Sequence, residues 1–553
     1  MMSNARYPDW FKARFVTHDE AMKEIVKPGA TIASGFATSE PSTFYEGLWD
    51  FIQKEDIHDL TIKQALFLAP HPICLGDTLQ SEGLLSEWLA ENGHSSGFFS
   101  GLARRINATT KKLEGLKRLI RHYEELRARR IRLVSAFMGG ATNIIIPVNA
   151  LTLSLYPEYT GRNTTRMGVT DMHSVHFPDA LESMGFTADG EPKVDAFVAV
   201  MTPPDENGEL SHGPANGANS DIIGKMLDDG RVALMLYVNP NYPFTRGWGD
   251  APNTIHIERF RKLAEAKKLY VVEDDHRVPA LPARSFENPS PPELAVAEHV
   301  VNHIELNKRF TYGRAIQVGL GGTGVLAVRA LKNSGWTGRS YTEMLEPFTL
   351  DLFEAGKIAG THFIEKDGRR TMIDGKMVCT FTIAEADSDF YKKIHNNPAI
   401  IIAASSRVVI PEGFYHGLGI NNILAIDFHG HANSGGRYQN HHSGIGGGAM
   451  IFRGLARGGV GYLCLKSTFT GVDGKLQSSI MPFMPQGTPI SHVGPDLMGG
   501  REGARLYVVT EHGVAQVSGQ TQSEFIKAMI GIAHPRFRDW LKEEAYREFR
   551  IKV

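Results

Sequence analysis

The sequence predicts an α/β protein with two domains, and three observations support this prediction. Short runs rich in β-branched residues, such as "DAFVAVM" and "VALMLYV", alternate with helical patterns, as is typical of layered α/β folds. The chain has 553 residues, more than one hydrophobic core usually holds. A proline-rich stretch at residues 277–295 separates two periodic regions and predicts a linker. We therefore place an N-terminal domain at residues 1–290 and a C-terminal domain at 291–553.

In the N-terminal domain, "DAFVAVM", "VALMLYV" and "KLYVVED" are the expected strands, and helical segments are expected to cover the sheet. Residues 101–132 carry eleven Lys or Arg against three Glu in a helical pattern. The apolar stripe of that pattern comprises Leu113, Leu116, Leu119, Ile120 and Tyr123. We predict a solvated basic helix, with an anion or partner site as the alternative. Nucleic-acid binding would need aromatic residues among the basic ones, and only Tyr123 lies there.

In the C-terminal domain, "AIIIAASSRVVI" and "RLYVVTE" are the expected strands. The segment "SEFIKAMIGIAHPRFRDWLKEEAYREF" has the apolar spacing of helices. Each domain is therefore expected to contain a largely parallel sheet with helices on its faces.

Charge and cysteine content exclude several classes of protein. A formal net charge of −2 provides no overall field for nucleic acid or an anionic membrane. Three cysteines, Cys74, Cys379 and Cys464, are far apart and indicate neither a disulfide framework nor a thiolate zinc site. The N-terminal residues lack the apolar run of a secretory signal, and no stretch of about 18 apolar residues occurs. We therefore predict a cytoplasmic protein with neither a membrane nor a nucleic-acid partner.

One glycine-rich turn matches a dinucleotide-binding pattern. Gly319, Gly321 and Gly324 follow an apolar strand and precede a helical run, and Glu343 follows Gly324 by 19 residues, near the spacing of a ribose-binding acid. An NAD-dependent dehydrogenase is therefore one hypothesis. It is weakened because a second strand before Glu343 would have only a few residues.

A second glycine cluster favours acyl chemistry. Gly444, Gly446, Gly447 and Gly448 form it, and together with the first turn it brackets the acidic segment "SYTEMLEPFTLDLFEAG" at residues 340–356. Glycine turns let backbone N–H groups approach the oxyanion of an acyl-transfer intermediate closely.

Most of the chain outside residues 100–175 resembles the class I coenzyme A transferases. The similar branch includes acetyl-CoA hydrolase, 4-hydroxybutyrate CoA-transferase and succinyl-CoA:acetate CoA-transferase. The resemblance rests chiefly on "YTEMLEPFTLDLFEAGKI" and "YVVTEHGVAQVSGQTQSEFIKAMIGIAHPRFRDWL", with further matches in "NNILAIDFHGHANS" and "SGIGGGAMIFRG".

The resemblance implies two similar domains of the sugar-phosphate-isomerase type (NagB/RpiA), an active site in the cleft between them, and a homodimer. It implies that Glu343 is the nucleophile, with oxyanion and CoA contacts from the two glycine turns. These residues are Gly319, Leu320, Gly321, Gly446 and Gly447, with backbone donors near Leu320 and Gly447. CoA is implied as a substrate and product, with no permanent cofactor and no metal, nicotinamide or flavin.

The chain departs from the family at two places. Gly324 stands where the first turn usually has Pro. The second turn continues as Gly447, Gly448, Ala449, Met450, Ile451, with Ala449 and Ile451 where Gln and Asp are usual. The usual acyl specificity is therefore not expected to carry over. Residues 100–175 are longer than usual, so the basic helix is expected to be an insertion.

Several other polar residues are candidates for substrate contacts. Asn433, Ser434 and His431 lie in the family-like "HGHANS", Asn207 lies in a predicted turn, and Lys475 is either a turn lysine or a contact to a CoA phosphate. His429, His431, His441 and His442 suggest a metal, but no acid or thiol is evidently paired with them. We therefore predict no metal site.

The acidic segment itself contains four carboxylates with different expected roles. Glu346 precedes Pro347 and suits a helix start, where the helix dipole favours an acid. Asp351 and Glu354 suit the solvent side of that helix. Glu343 alone precedes the helix, and a surface carboxylate is the alternative to a catalytic one.

The expected function is transfer of CoA between an acyl-CoA and a carboxylate through a glutamyl-CoA thioester on Glu343. Acyl-CoA hydrolysis by the same residue is the first alternative, and the dehydrogenase is the second. A silent CoA-binding protein would follow if the altered second turn had lost its donors. The motifs do not identify the acyl group or the acceptor carboxylate.

Overall fold

The computed structural model describes residues 7–68, 71–76, 110–139, 154, 157–158, 164–165, 167–280, 289–319, 321–385, 389–437, 440–441, 443–471 and 474–553. The chain divides into two compact units. The first comprises Met1–Arg284 and Thr380–Arg407, and the second comprises Ser285–Cys379 and Val408–Val553. Residues 380–407, which the sequential division assigns to the C-terminal domain, thus group with the first unit.

The first unit is built around one parallel sheet. The strands of this unit up to residue 280 are β1 (Thr31–Ser34), β2 (Thr61–Lys63), β3 (Arg132–Ser135), β4 (Thr170–Met172), β5 (Ala196–Met201), β6 (Glu209–Ser211), β7 (Ala233–Val238), β8 (Thr254–His256) and β9 (Leu269–Glu273). Its helices there are α1 (Asp9–Lys12), α2 (His18–Ile25), α3 (Ser42–Lys54), α4 (Pro72–Leu75), α5 (Thr110–Ala128), α6 (Phe177–Gly185), α7 (Asn219–Asp229) and α8 (Arg261–Glu265). The sheet order is β4-β3-β2-β1-β5-β7-β9, and every neighbouring pair is parallel.

The central strands of this sheet are buried along almost their whole length. All six residues of β5 are buried, which explains the continuous apolar run "AFVAVM". Helix α3 packs Phe44, Tyr45 and Leu48 into the same core. The unbroken apolar runs of the sequence therefore correspond to strands covered on both faces.

The basic segment forms helix α5, as the sequence predicts. Leu119, Ile120, Tyr123 and Leu126 are buried in the core of the first unit. Residues 101–109 and the side chains of Leu113 and Leu116 lie outside the described parts of the chain. The described apolar stripe anchors the helix, and Arg129 and Arg130, just beyond it, pair with Asp56 and Asp59.

The second unit begins with α9 (Pro291–Leu306), α10 (Lys308–Thr311), β10 (Ala315–Val318), α11 (Gly322–Leu331), β11 (Arg339–Tyr341), β12 (Met344–Leu345), α12 (Pro347–Glu354), β13 (His362–Lys366), β14 (Arg369–Ile373) and β15 (Met377–Cys379). Helix α9 starts inside the stretch predicted as a linker. Ser290 and Glu293 form a capping box, and Pro291 occupies the first helical turn, where its missing N–H is not needed. The linker prediction was therefore wrong for its last residues.

Residues 380–407 contain β16 (Phe381–Thr382), α13 (Phe390–Ile394) and β17 (Ile400–Ile402), and α14 (Ser405–Val408) closes the segment. Backbone hydrogen bonds attach the segment to the first unit. Thr382 N–H donates to Pro214 O over 2.8 Å, and Asn216 N–H donates to Thr380 O over 2.9 Å. The Ser406 hydroxyl donates to Asp221 Oδ2 over 2.6 Å.

The remaining elements of the second unit are β18 (Leu418–Asn422), β19 (Ala425–Asp427), β20 (Ala432–Asn433), β21 (Gly436–Arg437), β22 (Asn440–His441), α15 (Gly448–Leu455), β23 (Val460–Cys464), β24 (Thr468–Thr470), β25 (Leu476–Ser478), β26 (Ile480–Met481), α16 (Gly494–Met498), β27 (Arg505–Thr510), β28 (Gly513–Gln516), α17 (Gln522–Ile532) and α18 (Pro535–Phe549). Strands β15-β11-β10-β18-β23-β27-β28 lie side by side in this order. Their pairs are parallel, except that β28 is antiparallel to β27. The α/β prediction is confirmed.

All three cysteines are buried and unpaired: Cys74, Cys379 and Cys464. Burial raises the pKa of each thiol far above its usual value. Among the described helices, none combines the length and the apolar character needed to cross a bilayer.

Candidate active site

Glu343 lies at the carboxyl end of strand β11, in the short connection to β12. Parallel strands end at the same edge of their sheet, where ligands of α/β proteins usually bind. The preceding residue, Thr342, is buried, and its N–H donates to Val378 O over 2.9 Å. Its hydroxyl donates to Met344 O, also over 2.9 Å. These bonds fix the backbone on both sides of Glu343.

The Glu343 carboxylate is held against the backbone of Gly447. The Gly447 N–H donates to this carboxylate, and Gly447 caps the N-terminus of α15. A Cβ atom at position 447 would lie 1.8 Å from Glu343 Oε2 and 2.5 Å from Val409 Cγ1. No side chain fits there without displacing the acid. The structure thus brings together two of the residues singled out in the sequence.

Burial raises the pKa of Glu343 to about 7, and the Gly447 N–H opposes that shift by stabilising the charged form. Glu343 as a whole is only partly buried. The acid is therefore reachable yet poorly hydrated. Such a carboxylate is a better base and nucleophile than one in water.

The first glycine turn lies at the neighbouring strand end. Gly319 follows β10, and its N–H donates to Ile420 O over 2.8 Å. A Cβ on Gly319 would lie 2.8 Å from Asn421 Oδ1, and one on Gly321 would lie 2.1 Å from Asn422 Nδ2. The turn is therefore glycine-rich because two asparagine side chains press against its backbone. Leu320 lies outside the described residues.

Asn421 and Asn422, at the end of β18, are contributors that the sequence analysis missed as site residues. Asn421 Oδ1 and Asn422 Nδ2 are buried and have no hydrogen-bond partner in the described parts of the chain. Asn421 Nδ2 is also 3.5 Å from where a Cβ on Gly448 would lie, so Asn421 sits between the two glycine turns. The adjacent pair of amides at a strand end, "NN", was the available signal.

The second turn leads directly into a helix. Gly446 has a φ of +60°, in the left-handed region that glycine adopts without strain. Gly447 then caps α15, which begins at Gly448. Ala449 and Ile451, which stand where the family usually has Gln and Asp, belong to the start of this helix.

The other three acids of the segment occupy structural positions. Glu346 is the buried N-cap residue of α12, and Pro347 is its first helical residue. Asp351 lies 3.9 Å from Lys332 in an ion pair, and Glu354 is exposed at the helix end. The predicted helix start and its outer face are confirmed.

The candidate pocket residues of the second unit form local contacts. The Asn433 amide donates to Gly436 O, and its Oδ1 accepts the N–H of Gly435 over 2.9 Å. Ser434 N–H donates to Ser491 Oγ over 2.9 Å. Asn433 also lines a small cavity with Leu424, Ala425, Phe469, Met481, Met484, Pro485 and Thr488. These contacts describe a folded loop, and a substrate role for its residues stays a prediction.

Two further candidates lie in turns, as predicted from composition. Asn207 N–H donates to Asp205 Oδ1 over 2.9 Å, and Gly208 beside it has a φ of +80°. Lys475 is exposed in the hairpin between β24 and β25. Their part in substrate binding stays a prediction.

The histidines near Asn433 have an acidic neighbour that the sequence analysis overlooked. His429 and His431 lie beside Asp427, and His431 Nδ1 is 3.4 Å from Asp427 Oδ2. His441 ends strand β22, but its side chain and all of His442 lie outside the described residues.

Comparison with known proteins agrees with the resemblance seen in the sequence. Residues 387–545 match the acetyl-CoA hydrolase/transferase C-terminal domain. A butyryl-CoA:acetate CoA-transferase from Anaerostipes caccae is 27% identical over 365 residues, covering 64% of this chain and 72% of that protein. A 4-hydroxybutyrate coenzyme A transferase from Clostridium kluyveri is 27% identical over 366 residues, covering 64% and 73%. An acetyl-CoA hydrolase from Yarrowia lipolytica is 26% identical over 418 residues, covering 68% and 71%.

Solved structures support the fold. RipA from Yersinia pestis is 21% identical with a TM-score of 0.66, covering 98% of this chain and 99% of that chain. A 4-hydroxybutyrate CoA-transferase from Porphyromonas gingivalis is 20% identical with a TM-score of 0.59 and the same coverage. The chain is therefore related to the CoA-transferases and acetyl-CoA hydrolases of the acetyl-CoA hydrolase/transferase family.

Proposed function

We propose that this protein transfers CoA between an acyl-CoA and a small carboxylate, with Glu343 as the nucleophile. The observation that carries the proposal is the poorly hydrated Glu343 carboxylate, held by the Gly447 N–H at a sheet edge lined with glycine turns. Removing water from a carboxylate makes it more reactive, and a thioester is an acyl group with a good leaving thiolate. The names of the relatives support transfer of CoA.

The proposed cycle has four balanced steps. A Glu343 oxygen attacks the thioester carbonyl. This attack expels the CoA thiolate and forms a mixed anhydride between the acyl group and Glu343. The thiolate then attacks the glutamyl carbonyl of this anhydride, which forms a glutamyl-CoA thioester and releases the donor carboxylate. An acceptor carboxylate attacks that thioester and expels the thiolate. The thiolate finally attacks the acyl carbonyl, which yields the new acyl-CoA and restores Glu343.

Each attack places negative charge on a carbonyl oxygen, and backbone donors are suited to hold it. The Gly447 N–H, which contacts Glu343 in the structure, is one such donor. We assign another backbone donor to the glycine turn near Leu320. Gly319, Gly321 and Gly446 are the proposed CoA contacts. Removal of one oxyanion donor typically costs about 3 to 4 kcal/mol of transition-state stabilisation.

Acyl-CoA hydrolysis is the second candidate, and a relative named as an acetyl-CoA hydrolase supports it. The two reactions share the glutamyl-CoA thioester and differ in whether water or a carboxylate attacks it. CoA release measured with and without added carboxylates separates them.

The decisive experiment is intact-protein mass spectrometry after incubation with acyl-CoA and no acceptor. We expect a CoA adduct on the peptide that contains Glu343 and none in Glu343→Gln. Glu346→Gln is the matched control, because Glu346 is a buried acid three residues away that we place at a helix start. An adduct on another residue, or turnover that survives Glu343→Gln, would contradict the mechanism.

The dehydrogenase alternative is tested in the same preparation. Protection of the protein against heat by NAD but not by CoA would favour it over CoA transfer. The homodimer implied by the resemblance and the cytoplasmic location also stay predictions, and analytical ultracentrifugation tests the first.

A further inference from the structure

A second group of ligand-type side chains lies in the hairpin formed by β19 and β20. In this antiparallel pair, Ala425 faces Asn433 and Ile426 faces Ala432. The Asp427 N–H continues the ladder by donating to His431 O over 3.0 Å. Three residues, 428–430, close the hairpin, and Gly430 adopts a φ of +75° as such tight loops require. The spacing Asp-x-His-x-His therefore gathers Asp427, His429 and His431 at one end of the hairpin.

Asp427 is fixed before any ligand arrives. Its carboxylate is buried, with 3% of the residue surface exposed. Oδ1 accepts the N–H groups of His429 and His431, each over 2.9 Å. Oδ2 accepts the N–H of Met484 over 3.1 Å. Metal-binding carboxylates are commonly oriented by such outer hydrogen bonds.

The distances suit coordination of a single ion. Asp427 Oδ2 and His431 Nδ1 are 3.4 Å apart. Two ligands bound roughly 2.1 Å from one tetrahedral ion are separated by about 3.4 Å. One ring nitrogen of His429 completes a set in which all ligand atoms lie within 4.8 Å of one another. Coordination requires the His429 side chain to turn toward the other two ligands, and its exposure leaves it room to do so.

Aromatic rings border the His429 side of the site. The His429 ring packs 5.7 Å from Phe483 and 5.2 Å from Phe549, measured between ring centroids. The two imidazoles lie nearly parallel, with centroids 5.8 Å apart and an angle of 19° between the ring planes. Two imidazoles and one carboxylate are a donor set for zinc and neighbouring first-row ions, whereas Mg²⁺ and Ca²⁺ prefer oxygen ligands.

We propose that Asp427, His429 and His431 bind a divalent first-row transition ion, of the Zn²⁺ type, at the end of the β19–β20 hairpin. The three ligands are not among the residues that contact Glu343, and no step of the proposed CoA transfer passes through them. They leave a fourth position for water or another small donor.

The test is zinc binding by the full chain after treatment with EDTA and exchange into metal-free buffer. We expect the wild type to bind about one Zn²⁺ with measurable affinity by isothermal titration calorimetry, and its melting temperature to rise when Zn²⁺ is added. His429→Ala and His431→Ala should each weaken binding by at least about tenfold, since even the loss of an outer partner has that effect at metal sites. Both should remove the rise in melting temperature.

His416→Ala is the matched control. His416 is an exposed histidine whose Nε2 lies 3.4 Å from Glu502, but the two do not belong to any three-residue cluster in the described chain. It should bind Zn²⁺ as the wild type does. Melting in EDTA checks that each variant is folded, and His429→Ala keeps the test valid because that side chain is exposed. Equal zinc binding by wild type and both site variants, loss in only one variant, or no binding by the wild type would overturn the proposal.

Discussion

At the residue scale, the ionisation of Glu343 results from two opposing effects. Burial disfavours the charged carboxylate, whereas the Gly447 N–H stabilises it, and burial prevails to give a pKa of about 7. The acid is therefore divided between its two protonation states near neutral pH. If Glu343 is the nucleophile, as proposed, this pKa links catalysis and stability to pH in opposite senses.

The pH dependence of catalysis follows from this pKa. Only ionised Glu343 can attack a thioester, so kcat/KM for acyl-CoA is expected to rise with pH and level off above about 7. A carboxyl group with the ordinary pKa of 4.5 would give a constant kcat/KM from pH 6 upward. Initial rates of CoA release between pH 5 and 8.5 test this, and a flat profile across that range would contradict it.

Stability should show the reverse trend. The folded-state pKa of about 7 exceeds the ordinary 4.5, so the folded state binds more protons between these values and its stability falls as pH rises through them. Glu343→Gln removes this ionisation. We expect its melting temperature to exceed that of the wild type at pH 8 and to match it near pH 4.5. If the melting temperatures of variant and wild type differed equally at both pH values, Glu343 would not titrate between them.

Two adjacent glycines allow a matched test of the contact with Glu343. A Cβ on Gly447 would lie 1.8 Å from Glu343 Oε2, whereas one on Gly448 would meet its nearest atoms at 3.5 Å. Gly447→Ala should lower kcat by about 100-fold or more, because it displaces both the proposed nucleophile and its N–H donor. Gly448→Ala should retain most activity. Comparable losses in both variants would point to a general effect on the start of α15.

At the element scale, the glycine turns and the ends of the parallel strands act together. β10, β11 and β18 end at one sheet edge and deliver the Gly319 turn, Glu343 and Asn421 to it. Helix α15 then presents its N-terminal N–H group from Gly447. Each of these groups lies at or next to the end of a rigid strand or helix. Such a position holds a group more precisely than a long loop would.

The β19–β20 hairpin depends on Gly430. Alanine there would meet Met498 Sδ at 3.0 Å and Gly494 Cα at 3.2 Å, in addition to the cost of a left-handed φ of +75°. Gly430→Ala should destabilise the protein by about 1–2 kcal/mol for the backbone plus a further amount for crowding. Gly368→Ala is the control, since Gly368 has a φ of +74° but open space around it. Urea unfolding should show the larger loss for Gly430→Ala, and equal losses would show that crowding contributes nothing.

At the scale of the whole molecule, both units enclose their thiols. Cys74, Cys379 and Cys464 are buried, and burial raises the pKa of each. Because the thiolate is the reactive form, the native protein should react very slowly with Ellman's reagent. All three thiols should react in guanidinium chloride. Rapid release of one equivalent from the native protein would show that a unit opens readily.

The sequence predicted the α/β class, the acid at a helix start and the glycine turns, because these depend on local patterns of apolar, glycine and proline residues. It did not predict that residues 380–407 group with the first unit, since that depends on hydrogen bonds to Pro214 and Asn216, far away in the chain. Asp427 was missed for a different reason, although it stands only two residues before His429. Its approach to His431 depends on hairpin geometry that no propensity encodes.

The burial of the cysteines also has a practical consequence. Because the buried cysteines should not react with a colorimetric thiol reagent, the protein itself should give no background signal. Every free thiol detected during turnover should then come from released CoA. Water attack on the glutamyl thioester would then appear as a steady increase in colour. Transfer to a carboxylate followed by recapture of CoA would leave the solution colourless, and one cuvette would distinguish the two reactions.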